Sequence, residues 1–193
     1  MHLADHPAPL WTLDEAQLAH HPIGDPYWAF AWAGGLGLAR FLFDHPKWVK
    51  DQHVLDFAHG SGIGAIAAAR AGASQVSAAE VDTWARAALT INARLNATPI
   101  RQEYKNTIGT LSPWTVIICG DVFYDRELAE SLAPWFCACT AAGISVLIGD
   151  PGRQYLPRQA LRELAEYSLL TQGHFEDTEY KSTRIWLWET HDW

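Results

Sequence analysis

The sequence predicts an α/β fold: seven strands in one mostly parallel sheet, helices on both faces, and an antiparallel hairpin at the C-terminal edge. Three observations lead there. From residue 53 onward, short apolar runs alternate with segments whose apolar residues recur at helical spacing, the pattern of repeated β-α units. A glycine-rich turn, His59-Gly60-Ser61-Gly62, joins the first apolar run to an alanine-rich segment. Near the C-terminus, residues 173–180 and 183–189 read as two strands with no room for a helix between them.

The elements follow in order. A chain of 193 residues suits one domain, spanning 1–193, with residues 1–25 as an N-terminal extension. Within the extension, Leu10 to His20 reads as a short helix capped by Thr12 or Asp14, and His21 to Pro26 as a loop. Gly35 to Phe43 reads as a helix closed by Asp44-His45-Pro46. His53 to Ala58 is a buried strand, and Ile63 to Ala71 a helix ended by Gly72. Gln75 to Val81 is the second strand. Trp84, Ala87, Ala88, Ile91 and Leu95 make residues 83–96 an amphipathic helix. Ile100 to Tyr104 is a weak third strand and Val116 to Gly120 a strong fourth. Leu128, Leu132, Trp135, Phe136 and Cys139 mark a helix, Ile144 to Ile148 a fifth strand, and Pro157 to Tyr167 a further helix. Trp186 and Trp188 fall on one face of the last strand, where packing explains them.

Composition narrows the function. The formal net charge of −8 argues against nucleic acid or an anionic membrane as partner, because both need a basic surface. The excess is uneven: residues 1–120 carry 8 basic and 10 acidic side chains, residues 121–193 carry 6 and 12. A basic partner is therefore easier to accommodate at the C-terminal part. Cys119, Cys137 and Cys139 lie in apolar runs and make no disulfide framework or zinc knuckle, which suits a reduced, cytoplasmic setting. No apolar run is long enough for a membrane span. His20-His21 and the other histidines match no metal-site spacing, so no metal is expected.

In parallel sheets ligands bind at the carboxyl ends of the strands, so the candidate site lies there. Gly60-x-Gly62-x-x-Ala65 follows the first strand and opens a helix, which lets a ligand approach the backbone closely. Glu80, 20 positions after Gly60, ends the second strand, where a carboxylate can accept hydrogen bonds from ribose hydroxyls. That spacing fits nicotinamide dinucleotides and S-adenosylmethionine. Asp56 separates them: a pyrophosphate near an acid is unfavourable, whereas an ammonium and a sulfonium are favoured. After the fourth strand, Gly120-Asp121-Val122-Phe123-Tyr124-Asp125 combines a carboxylate to orient an amine with aromatic walls that tolerate a cation.

On these residues the chain resembles the seven-β-strand, S-adenosylmethionine-dependent methyltransferases with their Rossmann-like sheet. More narrowly, it resembles the lysine methyltransferases that act on the β subunit of electron transfer flavoprotein. The resemblance is carried by Asp25-Pro26-Tyr27-Trp28-Ala29 with Trp32 and Gly34-Gly35; by Val54-Leu55-Asp56 with Gly60-Ser61-Gly62; by Ala78-Ala79-Glu80-Val81-Asp82; by Gly120 to Asp125; and by Gly149-Asp150-Pro151-Gly152-Arg153. The chain departs from the pattern at Ala58, where the family turn has a glycine, and at Glu80, where the family has Asp. The resemblance implies cofactor residues Trp32, Asp56, Gly60, Ser61, Gly62, Glu80, Val81, Asn106, Thr107 and Gly120. It implies Asp121 and Tyr124 as catalytic residues facing the amine, and Tyr27, Trp28, Phe123, Asp150 and Arg153 as substrate-binding residues. The implied partner is the electron transfer flavoprotein β subunit, met by a monomeric enzyme. Without the Arg-rich character of a transit peptide, the chain looks like a bacterial, cytosolic member. Another protein, such as a ribosomal protein, or a small amine is the alternative substrate. A nicotinamide-dependent oxidoreductase and a non-catalytic scaffold are the readings from other classes.

Overall fold

The structure, a computed structural model, describes residues 1–4, 26–111, 113–170 and 180–189. The Leu10–His20 helix and most of the 173–180 strand expected above lie outside the described residues.

Seven strands form one sheet: β1 (His53–Phe57), β2 (Gln75–Ala79), β3 (Arg101–Glu103), β4 (Val116–Gly120), β5 (Ser145–Asp150), β6 (Leu161–Leu170) and β7 (Tyr180–Trp188). Among the described residues, four helices accompany it: α1 (Ala33–Asp44), α2 (Ile63–Arg70), α3 (Thr83–Leu95) and α4 (Arg126–Ala141). The strand order is β3-β2-β1-β4-β5-β7-β6. β1 to β5 pair in parallel, and β7 runs antiparallel to both of its neighbours. The order reverses at β1, which sits between β2 and β4. This is where an open α/β sheet leaves a crevice beyond its strand ends.

Alternation along the strands builds two cores, one on each face. Leu55, Ile117, Val146, Ile148, Trp186 and Trp188 pack against Leu132, Trp135 and Phe136 of α4. Val54, Ile118, Leu147 and Ile185 pack on the other face against Leu38, Phe41 and Leu42 of α1, Ala65 and Ala68 of α2, and Leu89 of α3. Asp82 and Asp125 start α3 and α4 by accepting from Trp84 N (2.8 Å) and Leu128 N (2.9 Å), side-chain caps for otherwise orphaned amides.

One expected element is overturned. Pro157–Tyr167 is not a helix; after a single 3₁₀ turn at Arg158–Ala160, the chain runs as β6 beside β7. Leu161, Leu164 and Ala165 mimic helical spacing because of a register shift between Glu163 and Ala165. The shift inserts one residue, so the inward positions become 161, 164 and 165 before strict alternation resumes. The terminal hairpin is therefore β6–β7, and the 183–189 strand falls within β7 apart from its last residue.

Candidate active site

The carboxyl ends of β1, β2, β3 and β4 open on a cavity of about 540 Å³. β1 hands over to a turn with three left-handed residues, Ala58 (φ 53°), Gly60 (φ 50°) and Gly62 (φ 83°). Gly62 needs its glycine for space as well, since a Cβ there would lie 2.4 Å from Leu89 Cδ1. At Gly60 a Cβ would meet nothing within 4 Å, so the backbone faces open space.

Glu80 follows β2. Its carboxylate accepts from Gly60 N (3.3 Å), Val81 N (2.7 Å) and Asp82 N (3.3 Å). Burial pushes its pKa up from the ordinary carboxylate range, against the pull of those three N–H groups. Arg86 straps the loop, donating to the carbonyls of Glu80 (3.1 Å) and Val81 (3.3 Å). On the third side, Asn106 Oδ1 accepts from Ile108 N (3.0 Å) and shapes the loop after β3. The neighbouring Thr107 Oγ1 is buried with no partner among the described residues, as is Trp28 Nε1. Both residues line the cavity. A buried polar atom left unpaired costs about 1–3 kcal/mol, which a polar ligand here would recover. An acid, a hydroxyl, an amide and aromatic faces around this volume fit a nucleoside.

The opposite wall is built from β4, β5 and the start of α1. Asp121 stands just beyond β4 with φ 58°. Its N–H donates to Gly149 O (3.0 Å), and its Oδ2 accepts from Gly35 N (3.2 Å). Its Oδ1 accepts from Arg153 Nε (2.9 Å) and Nη2 (2.6 Å). α1 comes this close because Gly34 has no side chain: a Cβ would lie 2.3 Å from Gly149 O and 2.4 Å from Asp121 Oδ2. Above the pair, the Arg153 guanidinium carbon lies 5.7 Å from the Trp32 ring centre. The rings of Tyr27 and Trp32 are 5.8 Å apart, and those of Tyr27 and Tyr124 5.9 Å apart. Tyr27 and Tyr124 are 43% and 55% exposed, so this aromatic mouth faces solvent.

The cavity brings together Tyr27, Trp28, Trp32, Gly60, Glu80, Val81, Asn106, Thr107, Gly120, Asp121, Tyr124 and Arg153. Five residues expected at the site stand off the cavity lining. Asp56 is buried and accepts from Ala65 N (2.6 Å) at the start of α2, whose own cap residue, Gly62, has no side chain. It serves the helix, and burial pushes its pKa up to about 7. The charge argument that used Asp56 to separate the two cofactor classes therefore does not hold; the acids lining the cavity are Glu80, Asp82 and Asp121. Ser61 is buried behind the turn, where its carbonyl accepts from Asn92 Nδ2 (3.0 Å). Gly62 backs onto Leu89. Phe123 is fully buried in the core with α4 and walls no substrate channel. Asp150 is buried and folds its own turn, accepting from Gly152 N (2.6 Å) and Arg153 N (2.7 Å). Sequence reasoning missed Asp82, Lys105 and Ile108, which line the cavity beside expected residues. It also missed the Gly35 N–H on Asp121, for which the Gly34-Gly35 pair was the available signal.

An α/β sheet of this order, with an acid after β2, an acid and an aromatic after β4, and a nucleoside-sized cavity between them, defines a Rossmann-like methyltransferase. The chain belongs to the family of electron transfer flavoprotein β subunit lysine methyltransferases. It is 42% identical to the Xenopus laevis member over 175 residues, covering 87% of this chain and 71% of that one. It is 40% identical to the Rattus norvegicus member over 172 residues, covering 86% and 68%. Residues 44–120 also match the family of ribosomal protein L11 methyltransferase (PrmA). Among solved structures, the fold is shared with magnesium protoporphyrin IX methyltransferase from Synechocystis with bound SAH, at a TM-score of 0.56 and 13% identity over 81% of each chain.

Proposed function

We propose that this chain transfers methyl groups from S-adenosylmethionine to lysine side chains of the electron transfer flavoprotein β subunit. The observation that carries the reading is the aromatic mouth of Tyr27, Trp32 and Tyr124 beside Asp121. It stands on a chain 42% identical to a protein named for that activity. When bound, S-adenosylmethionine supplies an electrophilic methyl carbon on a positively charged sulfur. Glu80 would hold its ribose, the Gly60 turn would allow close approach, and Asn106 and Thr107 would lie beside its base.

The rest of the work falls to the chain. A lysine in water has a pKa near ~10.4 and carries no lone pair at neutral pH. Passing the Tyr27 and Tyr124 rings into the cavity strips water from the ammonium and disfavours the charged form. Asp121 then accepts a hydrogen bond from the amine and fixes the direction of its lone pair. Tyr124, three residues on, walls the same channel.

The reading takes the chain as one catalytic unit acting as a monomer in the cytoplasm, supported by three unpaired thiols, Cys119, Cys137 and Cys139. Among the described residues, no helix is long and apolar enough to cross a membrane. The test is incubation with labelled S-adenosylmethionine and purified electron transfer flavoprotein, followed by peptide mapping. Label on β-subunit lysines is expected, and its loss with Asp121→Ala. A β subunit left unlabelled by the wild-type enzyme overturns the substrate assignment.

A further inference from the structure

The two narrow motifs of the sequence, Asp121-Val122-Phe123-Tyr124 and Gly149-Asp150-Pro151-Gly152-Arg153, form one mechanical unit. Asp150 is 1% exposed and draws in the N–H groups of Gly152 and Arg153, at 2.6 and 2.7 Å. That turn sends the Arg153 side chain back over β4. There two of its N–H groups, Nε and Nη2, meet a single carboxylate oxygen, Asp121 Oδ1. Neither partner is solvated enough for this to be a loose surface pair: the side chains are 24% and 10% exposed. Asp121 is held from two further directions, by Gly35 N on Oδ2 and by its own N–H on Gly149 O.

We infer that Arg153 is a positioning residue that fixes Asp121 as a hydrogen-bond acceptor for the substrate amine and keeps it from serving as the base. Arginine never gives up its charge under these conditions. A proton taken by Asp121 would cancel the negative charge that Arg153 Nε and Nη2 meet at 2.9 and 2.6 Å. The substrate ammonium therefore gives its proton to water, becoming the neutral amine, and Asp121 stays ionised throughout. This inference deepens the methyltransferase reading and rests on it.

The experiment compares wild type, Arg153→Gln, Arg153→Lys, Asp121→Asn and the double variant Asp121→Asn/Arg153→Gln. Each is measured for methylation of electron transfer flavoprotein at saturating S-adenosylmethionine and for S-adenosylhomocysteine affinity by calorimetry. Arg153→Gln is expected to lower kcat about 10²-fold, the cost of an acceptor displaced by an ångström, with affinity unchanged. Arg153→Lys recovers part of the rate. In the Asp121→Asn background, Arg153→Gln adds no further loss of rate, because the role assigned to Arg153 in turnover runs through Asp121. Losses that multiply in the double variant, or a fall in affinity as the main effect of Arg153→Gln, overturn the inference. An independent readout is the Arg153 Nε–H resonance, protected from exchange in wild type and exposed in Asp121→Asn. If wild type leaves the flavoprotein unlabelled, the substrate assignment fails. The pin is then judged by that resonance: protection that survives Asp121→Asn overturns it, and protection lost supports it.

Discussion

The two walls of the cavity hold their acids by different means. Glu80 is held by three backbone N–H groups, from Gly60, Val81 and Asp82, in a loop strapped by Arg86. Beside it the wall is incomplete: the space over Gly60 is open, and Thr107 Oγ1 and Trp28 Nε1 have no partner among the described residues. Asp121 is held by a guanidinium and by a crossing of α1 over β4 and β5 that admits no side-chain atom. The two walls thus differ in what holds their acids, backbone amides for Glu80 and a guanidinium for Asp121, and each carries a buried polar atom without a partner among the described residues, Thr107 Oγ1 on one and Asp150 Oδ2 on the other. A substitution on the acceptor wall should act on stability or turnover, and one on the cofactor wall on affinity.

The largest effect expected is at the crossing. In Gly149→Ala the new Cβ would lie 2.1 Å from Gly34 O, with backbone on both sides and nothing flexible to move. We expect a loss of about 3 kcal/mol, at the upper end of overpacking costs. For a chain of this size that lowers Tm by roughly 6–12 °C. Gly60→Ala is the control on the other wall, where the left-handed angle alone costs about 1–2 kcal/mol. Calorimetric scans of the two variants check the contrast. Equal losses would show that the crossing yields and that the walls do not differ in rigidity.

Next comes Glu80→Gln. The amide keeps one acceptor oxygen, enough for Val81 N and Asp82 N, sets its NH2 against Gly60 N, and removes the charge that ribose hydroxyls would meet. S-adenosylhomocysteine affinity should fall by about 1.5–3 kcal/mol, the range for hydrogen bonds to charged groups, while kcat at saturation holds. A variant that binds as tightly as wild type would place the ribose elsewhere.

A third test uses the end of β1 and the turn that follows it, where burial moves two groups in opposite directions. Asp56 is raised from 3.8 to about 7, and His59, with Nε2 unpartnered, is lowered from 6.5 to about 4. The unfolded chain releases the Asp56 proton near its ordinary pKa while the fold keeps it, so this contribution to stability is lost as pH rises from about 4 to 7. The unfolded chain binds a proton on His59 below its ordinary pKa while the fold does not, so that contribution is lost as pH falls from 6.5 to about 4. Relative to wild type, Asp56→Asn should gain about 1.4 kcal/mol per pH unit as pH rises through the shared window. His59→Gln should gain a similar amount as pH falls. Denaturant midpoints across the window decide it: parallel curves for all three proteins would mean that neither group is desolvated.

The turn after β1 and the acid after β2 were legible in the sequence, and the structure sets Gly60 and Glu80 on the cavity and Gly62 behind it, against Leu89. Gly60, Gly62 and Glu80 are spaced by the length of a β-α-β unit, and local geometry follows from such spacing. What spacing could not show was which side of a strand faces the ligand. Asp56 and Phe123 sit one pleat or one turn from the cavity, and each was drawn into a core or a helix start that only the assembled fold supplies. Asp150 and Arg153 were legible as a motif but not as a device, because the partner that explains them lies 32 residues from Arg153 in the chain. β6 was hidden by its register shift, and long-range pairing with β7 overrode residues that favour a helix.

The smallest effect sharpens the comparison most, since it separates backbone strain from ligand contact within the cofactor wall. Ala58 holds φ 53° with a Cβ in place, and its N–H is committed to Ala79 O at 2.9 Å, so the angle cannot relax without giving up that bond. Left-handed backbone costs an alanine about 1–2 kcal/mol, and glycine removes that cost while adding about 0.5–1 kcal/mol of unfolded-state entropy. Ala58→Gly should therefore stabilise the protein by about 0.5–1 kcal/mol, or roughly 1–4 °C in Tm. Ala58 lines the cavity, but its methyl carries no polar atom for a ligand to lose. Affinity for S-adenosylhomocysteine should accordingly stay where it is. If stability and affinity rise together, the strain at Ala58 was being released by the ligand. The cofactor wall would then change shape on binding, not wait in the bound form.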